Sequence, residues 1–362
     1  MWSIKQKVFL CLFLGLGLAS CKKDPKIGTE VTKNGPTPYN LNLPATFPQM
    51  NIPAYNRLTN EGVELGRKLF FDPILSGNNT QSCAGCHQQG ASFVDSAVRF
   101  SRGSTGAILN RNSMPIFNIG YAKKWFWDGR SKTLEEQVFH PVVSQNEMNQ
   151  DPILLSEELS RNPTYVKMFN AAFGEGEITF DKTSKAIAQF MRSIIAFSPK
   201  SLDTSLLNPA EKRGLKVFLS EDKGDCFHCH ELGNFMTTFE FVNNGLNLNS
   251  LVDAGLYNVT GKGTDIGRFK IPSLLNLKYT APYMHDGRFK TLREVIDFYD
   301  AGFQWHPITN SNLDPNLLKH FDKTTQKPAP RKWTEQDKQD LITFLNSLTD
   351  ESLNTNPSYS KK

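Results

Sequence analysis

Two stretches of this 362-residue chain hold residues whose spacing dictates a chemistry: Cys83-Ala84-Gly85-Cys86-His87 and Cys226-Phe227-His228-Cys229-His230. Two thiols three positions apart can each add across one vinyl group of a single haem, and the histidine that follows then reaches the iron. That is covalent c-type haem attachment. A lone Cys-x-x-Cys would also fit a zinc ribbon or a redox dithiol. Zinc, however, needs four converging ligands, and a dithiol needs no trailing histidine. Two copies that both end in histidine point to two haems. The other thiols are Cys11, inside a leader, and Cys21, at its end, so no cysteine remains for a disulfide framework.

The leader is read from a positive start (Lys5, Lys7), an apolar run from Val8 to Leu18, and small residues before Cys21. It is an export signal over residues 1–20, too short to span a bilayer as a mature helix. Leu18-Ala19-Ser20-Cys21 resembles a bacterial lipobox, which implies lipidation of Cys21; a plain secretory signal is the alternative. Either way the chain is exported, to face the periplasm. The formal charge is +5, of which two belong to the leader lysines, leaving +3. So small a surplus gives no nucleic-acid footprint and no field for an acidic partner. The length accommodates two domains of ordinary size.

Elements must hold the two haem stretches in place. Residues 21–52, rich in Pro, Asn and Thr, read as a tether that becomes a surface-hugging arm. Glu61 to Phe71 has a helical apolar pattern and leads into the first haem stretch; Pro209 to Leu219 introduces the second in the same way. The segment Asn112-Ser113-Met114-Pro115 through Trp127-Asp128-Gly129-Arg130 to Glu136 aligns, with one gap, to Lys270-Ile271-Pro272 through His285-Asp286-Gly287-Arg288 to Glu294. The chain therefore reads as a duplication. Thr133 with Glu136 and Thr291 with Glu294 are capping-box patterns that start a helix after each Asp-Gly-Arg turn. Asp181 to Phe197 and Thr334 to Leu348 read as amphipathic core helices, with a domain boundary at Ser198-Pro199-Lys200. The domains are then residues 53–199 and 200–350, followed by a mobile polar tail, 351–362.

The two haem stretches, with Phe126-Trp127-Asp128-Gly129-Arg130, Leu134-Glu135-Glu136-Gln137, Asn146-Glu147-Met148 and Tyr283-Met284-His285-Asp286-Gly287-Arg288, resemble the bacterial dihaem cytochrome c peroxidase family, which includes MauG. The resemblance covers roughly residues 50 to 350. It implies a mostly α fold of two cytochrome c-like domains, each holding one covalently attached c-type haem, and possible homodimers. By position, the haem ligated by His87 resembles the peroxidatic one, and Gln137 and Glu147 match the distal pair. Splitting peroxide requires moving a proton between its oxygens, and a carboxylate suits that task. Glu147 is the expected acid/base and Gln137 the positioning donor, with a helix-surface carboxylate as the bland alternative. Trp127 matches the tryptophan that relays electrons between the haems; packing alone is its alternative. Asn112, Thr280 and Pro282 match oxygen ligands of an interdomain calcium.

Two departures from the family pattern matter. No histidine lies between His87 and His140, and Gly103 stands where many relatives carry a blocking histidine. The resemblance then implies a first haem that is five-coordinate or water-bound at rest, with His140 a substitute ligand or, more simply, a hydrogen-bonded structural residue. At the second haem, ligated by His230, Tyr299 occupies the place of an axial methionine, with Met284 its rival. A phenolate is harder than a thioether and favours ferric iron. No role falls to His228, His306 or His320. Three functions follow. The first is a peroxidase taking electrons from a small cytochrome c or copper protein and reducing hydrogen peroxide. The second is a MauG-like oxidase of a partner protein or other large substrate. The third is a dihaem electron carrier without catalysis.

Overall fold

The computed structural model describes residues 35–322, 324–325 and 327–362. The leader, Cys11, Cys21 and most of the tether lie outside the described residues.

The fold is mostly helical, and capping residues in the sequence set where its helices begin. Helix α1, Asn60–Phe70, starts at Thr59, whose hydroxyl accepts from the Gly62 N–H at 3.0 Å. It turns Leu65, Leu69 and Phe70 inward. After the first haem stretch come α2, Leu134–Val143; α3, Pro152–Arg161; α4, Pro163–Phe173; and α5, Phe180–Ser193. The second half repeats the plan with α6, Pro209–Leu219; α7, Leu292–Ala301; and α8, Glu335–Ser347. Asn208 and Glu211 close a full capping box on α6, as Thr291 and Glu294 do on α7. On α2 only half of the expected box forms. Thr133 accepts from the Glu136 N–H, but the Glu136 carboxylate reaches back to the Lys132 N–H at 2.7 Å.

In each half, the helix that enters the haem stretch lies against the last long helix. A Cβ on Gly66 would stand 1.9 Å from the Ala186 carbonyl oxygen of α5, and one on Gly214 would stand 2.0 Å from that of Asp340 on α8. Both contacts are backbone on backbone, so only glycine allows them. Aromatic rings fill the space beneath: Phe70 meets Phe190 at 5.3 Å in the first half, and Phe218 meets Phe344 at 5.4 Å in the second.

The duplication extends to backbone conformation. Asn118 and Asn276 (φ 56° and 59°), Phe126 and Met284 (64° and 76°), and Gly129 and Gly287 (72° and 61°) are all left-handed. The antiparallel bridge Trp125–Ser131 has its twin in Tyr283–Phe289. The second half adds two small ladders. Strand β1, Phe241–Val242, pairs antiparallel with β2, Phe269–Lys270, and β3, Phe321–Asp322, pairs antiparallel with β4, Lys327–Pro328.

The halves are sewn together by backbone and buried charge. The Asn112 N–H donates to the His285 carbonyl at 2.8 Å, the Lys270 N–H donates to that of Trp127 at 2.8 Å, and Arg111 grips both carboxylate oxygens of Asp253 at 2.8 Å. The described part of the arm, residues 35–52, lies against the rest of the chain. Phe47 packs against Tyr121, Phe197 and Phe235, and Thr46 pairs with Asn234.

Two expectations need correction. Helix α5 stops at Ser193 rather than Phe197, because the Asn118 side chain captures both the N–H and the carbonyl of Ala196 (3.1 and 2.7 Å) and draws that backbone into an extended path. The tail is not a free polar end. Glu351–Asn354 and Pro357–Tyr359 form short 3₁₀ turns, and Leu353 and Tyr359 are buried against the first half. No helix among the described residues is long and apolar enough to cross a membrane.

Candidate haem sites and the cavity between the halves

Each haem stretch is one helical turn that ends on its histidine: the N–H of His87 donates to the Cys83 carbonyl, and that of His230 to the Cys226 carbonyl, both at 2.9 Å. The imidazoles are held alike. His87 Nδ1 lies 2.9 Å from the Phe93 carbonyl oxygen, and His230 Nδ1 lies 3.3 Å from that of Met236. A proton on Nδ1 that donates to a carbonyl leaves the Nε2 lone pair free, which is how iron-ligating histidines are usually oriented. Burial lowers the pKa of both rings, that of His230 to about 4, so both stay in the neutral form that binds metal. None of the four cysteines of the two stretches is in a disulfide.

One cavity lies beside the second haem stretch and reaches across to the first half. Its walls include Cys226, Cys229, His230, Met284 and Tyr299 from the second half, with Asn112 and Trp127 from the first. Tyr299 and Met284 converge on one side chain. Asn244 Nδ2 donates to the Tyr299 hydroxyl at 3.2 Å and to Met284 Sδ at 3.7 Å. Burial pushes the Tyr299 phenol up to about 12, and the Asn244 hydrogen bond pulls it the other way. Trp127 is fixed by donating from Nε1 to the Asn112 carbonyl at 2.8 Å, and its ring lies 6.5 Å from that of His285. His285 in turn stacks on Phe269 at 3.6 Å. Thr280 and Pro282 line the same cavity as Asn112. The Asn112 amide donates to the carbonyls of Val98 and Arg99, both at 3.1 Å.

Glu147 sits beside the first haem stretch on a tightly pinned turn. The Glu147 carbonyl accepts from the Ser104 N–H at 2.7 Å, and the Met148 carbonyl accepts from the Gly77 N–H at 2.9 Å and the Ser104 hydroxyl at 3.0 Å. Gly103 is required there, since its Cβ would lie 2.0 Å from the Asn146 carbonyl oxygen. The Glu147 carboxylate is close enough to Cys83 and Cys86 to act on both thiols electrostatically. Burial raises its pKa above the ordinary glutamate value, and Arg130 opposes the shift. Gln137 Oε1 and His140 Nε2, one turn apart on α2, are buried without hydrogen-bond partners among the described residues. The hydrogen-bonded structural role expected of His140 is therefore not met at Nε2, whose nearest acidic group, Glu136 Oε1, is 3.9 Å away.

These residues fit haem. Paired thiols and a neutral histidine oriented by a carbonyl recur in both halves, and the first half adds the unpartnered Gln137 Oε1 and His140 Nε2. Lys270 fits as well. It is buried on the cavity wall with Nζ donating to the Lys124 carbonyl at 2.9 Å, and burial drops its pKa to about 7 with Asp128 opposing. A cation so placed suits a propionate. Sequence reasoning missed Asn244, Lys270 and His285 as cavity residues. The repeat alignment contains Lys270 and His285, but no pattern in the sequence marks Asn244. His228 and His320 both face the buried Asp225 carboxylate (3.1 and 3.5 Å), and His306 Nδ1 accepts backbone N–H groups; none lines the cavity.

The fold and the paired stretches define a helical c-type cytochrome with two haem sites. A family model described as di-haem cytochrome c peroxidase matches residues 60–206. A cytochrome-c peroxidase, IdrP1, of Pseudomonas sp. (strain SCT) is 31% identical, over 84% of this chain and 85% of that one. The methylamine utilization protein MauG of Methylorubrum extorquens is 32% identical, over 82% and 80%. Among solved structures, a MauG-like protein associated with microbial copper homeostasis superposes with a TM-score of 0.77 at 31% identity, over 89% of this chain and 99% of that one. The chain belongs to the dihaem cytochrome c peroxidase family, whose members include MauG, and it is an oxidoreductase of that kind.

Proposed function

We propose that this protein is an exported dihaem peroxidase that reduces hydrogen peroxide to two waters, using two protons and two electrons from a small cytochrome c or copper protein. The observation that carries the reading is Glu147, a buried carboxyl on a pinned turn beside the first haem stretch with its pKa raised by burial. When bound, the haems would pass on the donor's electrons and provide the site at which peroxide is held. Glu147 accepts the proton from one peroxide oxygen and returns it to the other, so that the O–O bond breaks as water leaves. Gln137, whose Oε1 is buried without a partner, orients the peroxide. Trp127, which the first half contributes to the cavity wall, is the relay. His87 and His230 hold the two irons, Tyr299 is the second ligand at the latter, and Asn112, Thr280 and Pro282 hold calcium. The reading includes lipidation at Cys21 and a periplasm-facing location.

The test is to mix the as-isolated diferric protein with one equivalent of hydrogen peroxide, without reductant, and follow both haem spectra. Immediate change at the His87 haem supports an open first site. A response only after half-reduction means that a ligand such as His140 blocks it. No response in either state leaves an electron carrier and rejects the reading.

A second reading, a MauG-like oxidase that removes electrons from a protein or other large substrate, is favoured by Tyr299 and its Asn244 hydrogen bond. Peroxide-driven spectral change shared by both haems would favour it.

A further inference from the structure

The two proximal turns, those whose carbonyls orient the haem histidines, are secured in different ways. Around His230 the support comes from the same half. The Met236 carbonyl accepts from the Leu274 N–H at 3.2 Å, the Ser273 hydroxyl donates to the Phe235 carbonyl at 2.6 Å, and the Thr237 hydroxyl donates to that of Ile271 at 2.7 Å. Around His87 the support comes from the other half and from the end of the chain. Ser92 and Phe93, both fully buried, are left-handed (φ 54° and 62°), a conformation that non-glycine residues hold only when neighbours enforce it.

The enforcing neighbour is Asn354. Its Oδ1 accepts from both the N–H and the hydroxyl of Ser92, at 3.0 and 2.7 Å. From the opposite side Asn276 Nδ2 donates to the same hydroxyl at 2.9 Å, and Asn276 also binds the backbone of Asp350 through its N–H (2.7 Å) and its carbonyl (3.2 Å). Gln89 Nε2 donates to the carbonyls of Leu353 and Asn356 at 3.2 and 2.8 Å. The ring of Tyr359 meets that of Phe93 edge-on at 6.4 Å, and its hydroxyl accepts from the Ile195 N–H. The last residues therefore close as a strap over the turn that presents the Phe93 carbonyl to His87.

We propose that Asn354 is a positioning residue for His87: through Ser92 it fixes the Phe93 carbonyl, and the C-terminal strap thereby sets how strongly the imidazole donates to the first haem. A firm Nδ1–H···O=C bond gives the ring anionic character and strengthens its bond to iron. A slack one weakens it. The proposal rests on the assignment of His87 as a haem ligand.

The experiment compares the holoprotein with Asn354→Ala and Asn354→Asp, using the iron–histidine stretching band of the reduced first haem by resonance Raman, with the second haem as internal control. Haem content is measured first, by pyridine haemochromogen. Fewer than two haems in the unaltered protein would defeat the haem assignment itself, separately from the strap. With two haems present, Asn354→Ala is expected to move the first-haem band to lower frequency and raise that haem's midpoint potential, leaving the second haem unchanged. Asn354→Asp, which keeps an acceptor for Ser92, restores the band. Gln89→Ala, which frees the strap from its other side, gives a smaller shift of the same sign and serves if Asn354→Ala does not fold. An unchanged band in folded Asn354→Ala, with only a lower melting temperature, overturns the proposal.

Discussion

The two halves share a frame and differ in what they point at the haem. The step along the sequence that carries Thr133 to Thr291 and Gly129 to Gly287 also carries Trp127 to His285, Gln137 to Val295, His140 to Phe298 and Pro141 to Tyr299. Helices α2 and α7 have the same length and the same threonine cap, so these pairs occupy the same faces. Where α7 presents a phenol, α2 presents a proline, which has no donor or acceptor on its side chain. Where α7 is apolar, α2 carries Gln137 and His140. On the proposed function, one frame would accommodate a saturated centre and a reactive one, with a few side chains on a single helix making the difference.

The largest expected effect concerns the reactive centre. Glu147→Gln should lower peroxide turnover by about 10²–10⁴-fold while leaving two haems bound, as read by stopped-flow mixing and haem content. As base, Glu147 must start as the carboxylate, so wild-type activity should fall as pH drops through its folded pKa. Burial raises that pKa, which places the acid limb above the ordinary glutamate range, and the limb should vanish in the variant. Stability carries the opposite sign. A carboxyl whose folded pKa is raised costs stability above that pKa and nothing below its unfolded pKa. Glu147→Gln should therefore melt at the same temperature or higher at neutral pH, with any gain lost on acidification.

Opening the saturated centre would sharpen the comparison next. Tyr299→Phe should raise cyanide binding to the ferric protein from one equivalent to two, by optical titration. If Met284 were the ligand, the count would stay at one.

A stability comparison tests the frame. Glu135 and Arg192 form a buried ion pair at 2.7 Å, with Asn56 also bonded to the carboxylate, and these hold α2 to α5. Removing one partner of such a pair costs about 3–5 kcal/mol, so Arg192→Ala should lower the denaturation midpoint sharply. The residue equivalent to Glu135 in the second half is Arg293, an exposed side chain paired with Asp297 and Glu335. Arg293→Ala should leave the midpoint nearly unchanged.

Much of this was legible in the sequence because it is local. Thiol spacing, capping threonines and helical apolar patterns each lie within a few residues, and the repeat made the two halves comparable. What was not legible is long-range. Nothing near Asn354 announces a partner 262 residues earlier, and a polar tail suggests solvent although Leu353 and Tyr359 are buried. Asn244 was equally silent, because its role comes from Tyr299 and Met284 arriving from two other segments. The end of α5 was overestimated because apolar periodicity continued past the point where Asn118 takes hold of the backbone.

The strap also bears on how the molecule is completed. Chains are made and exported from the N-terminus, so Cys83, Cys86 and His87 exist as a loop throughout synthesis without the residues that hold Ser92. On the proposal above, that loop is held only once Leu353, Asn354 and Asn356 have followed it. A product cut short at Asp350 would keep every thiol, histidine and long helix, yet its first proximal turn would be left unlatched. If the strap acts as proposed, the first proximal turn stays unlatched until residues 351–359 have joined it.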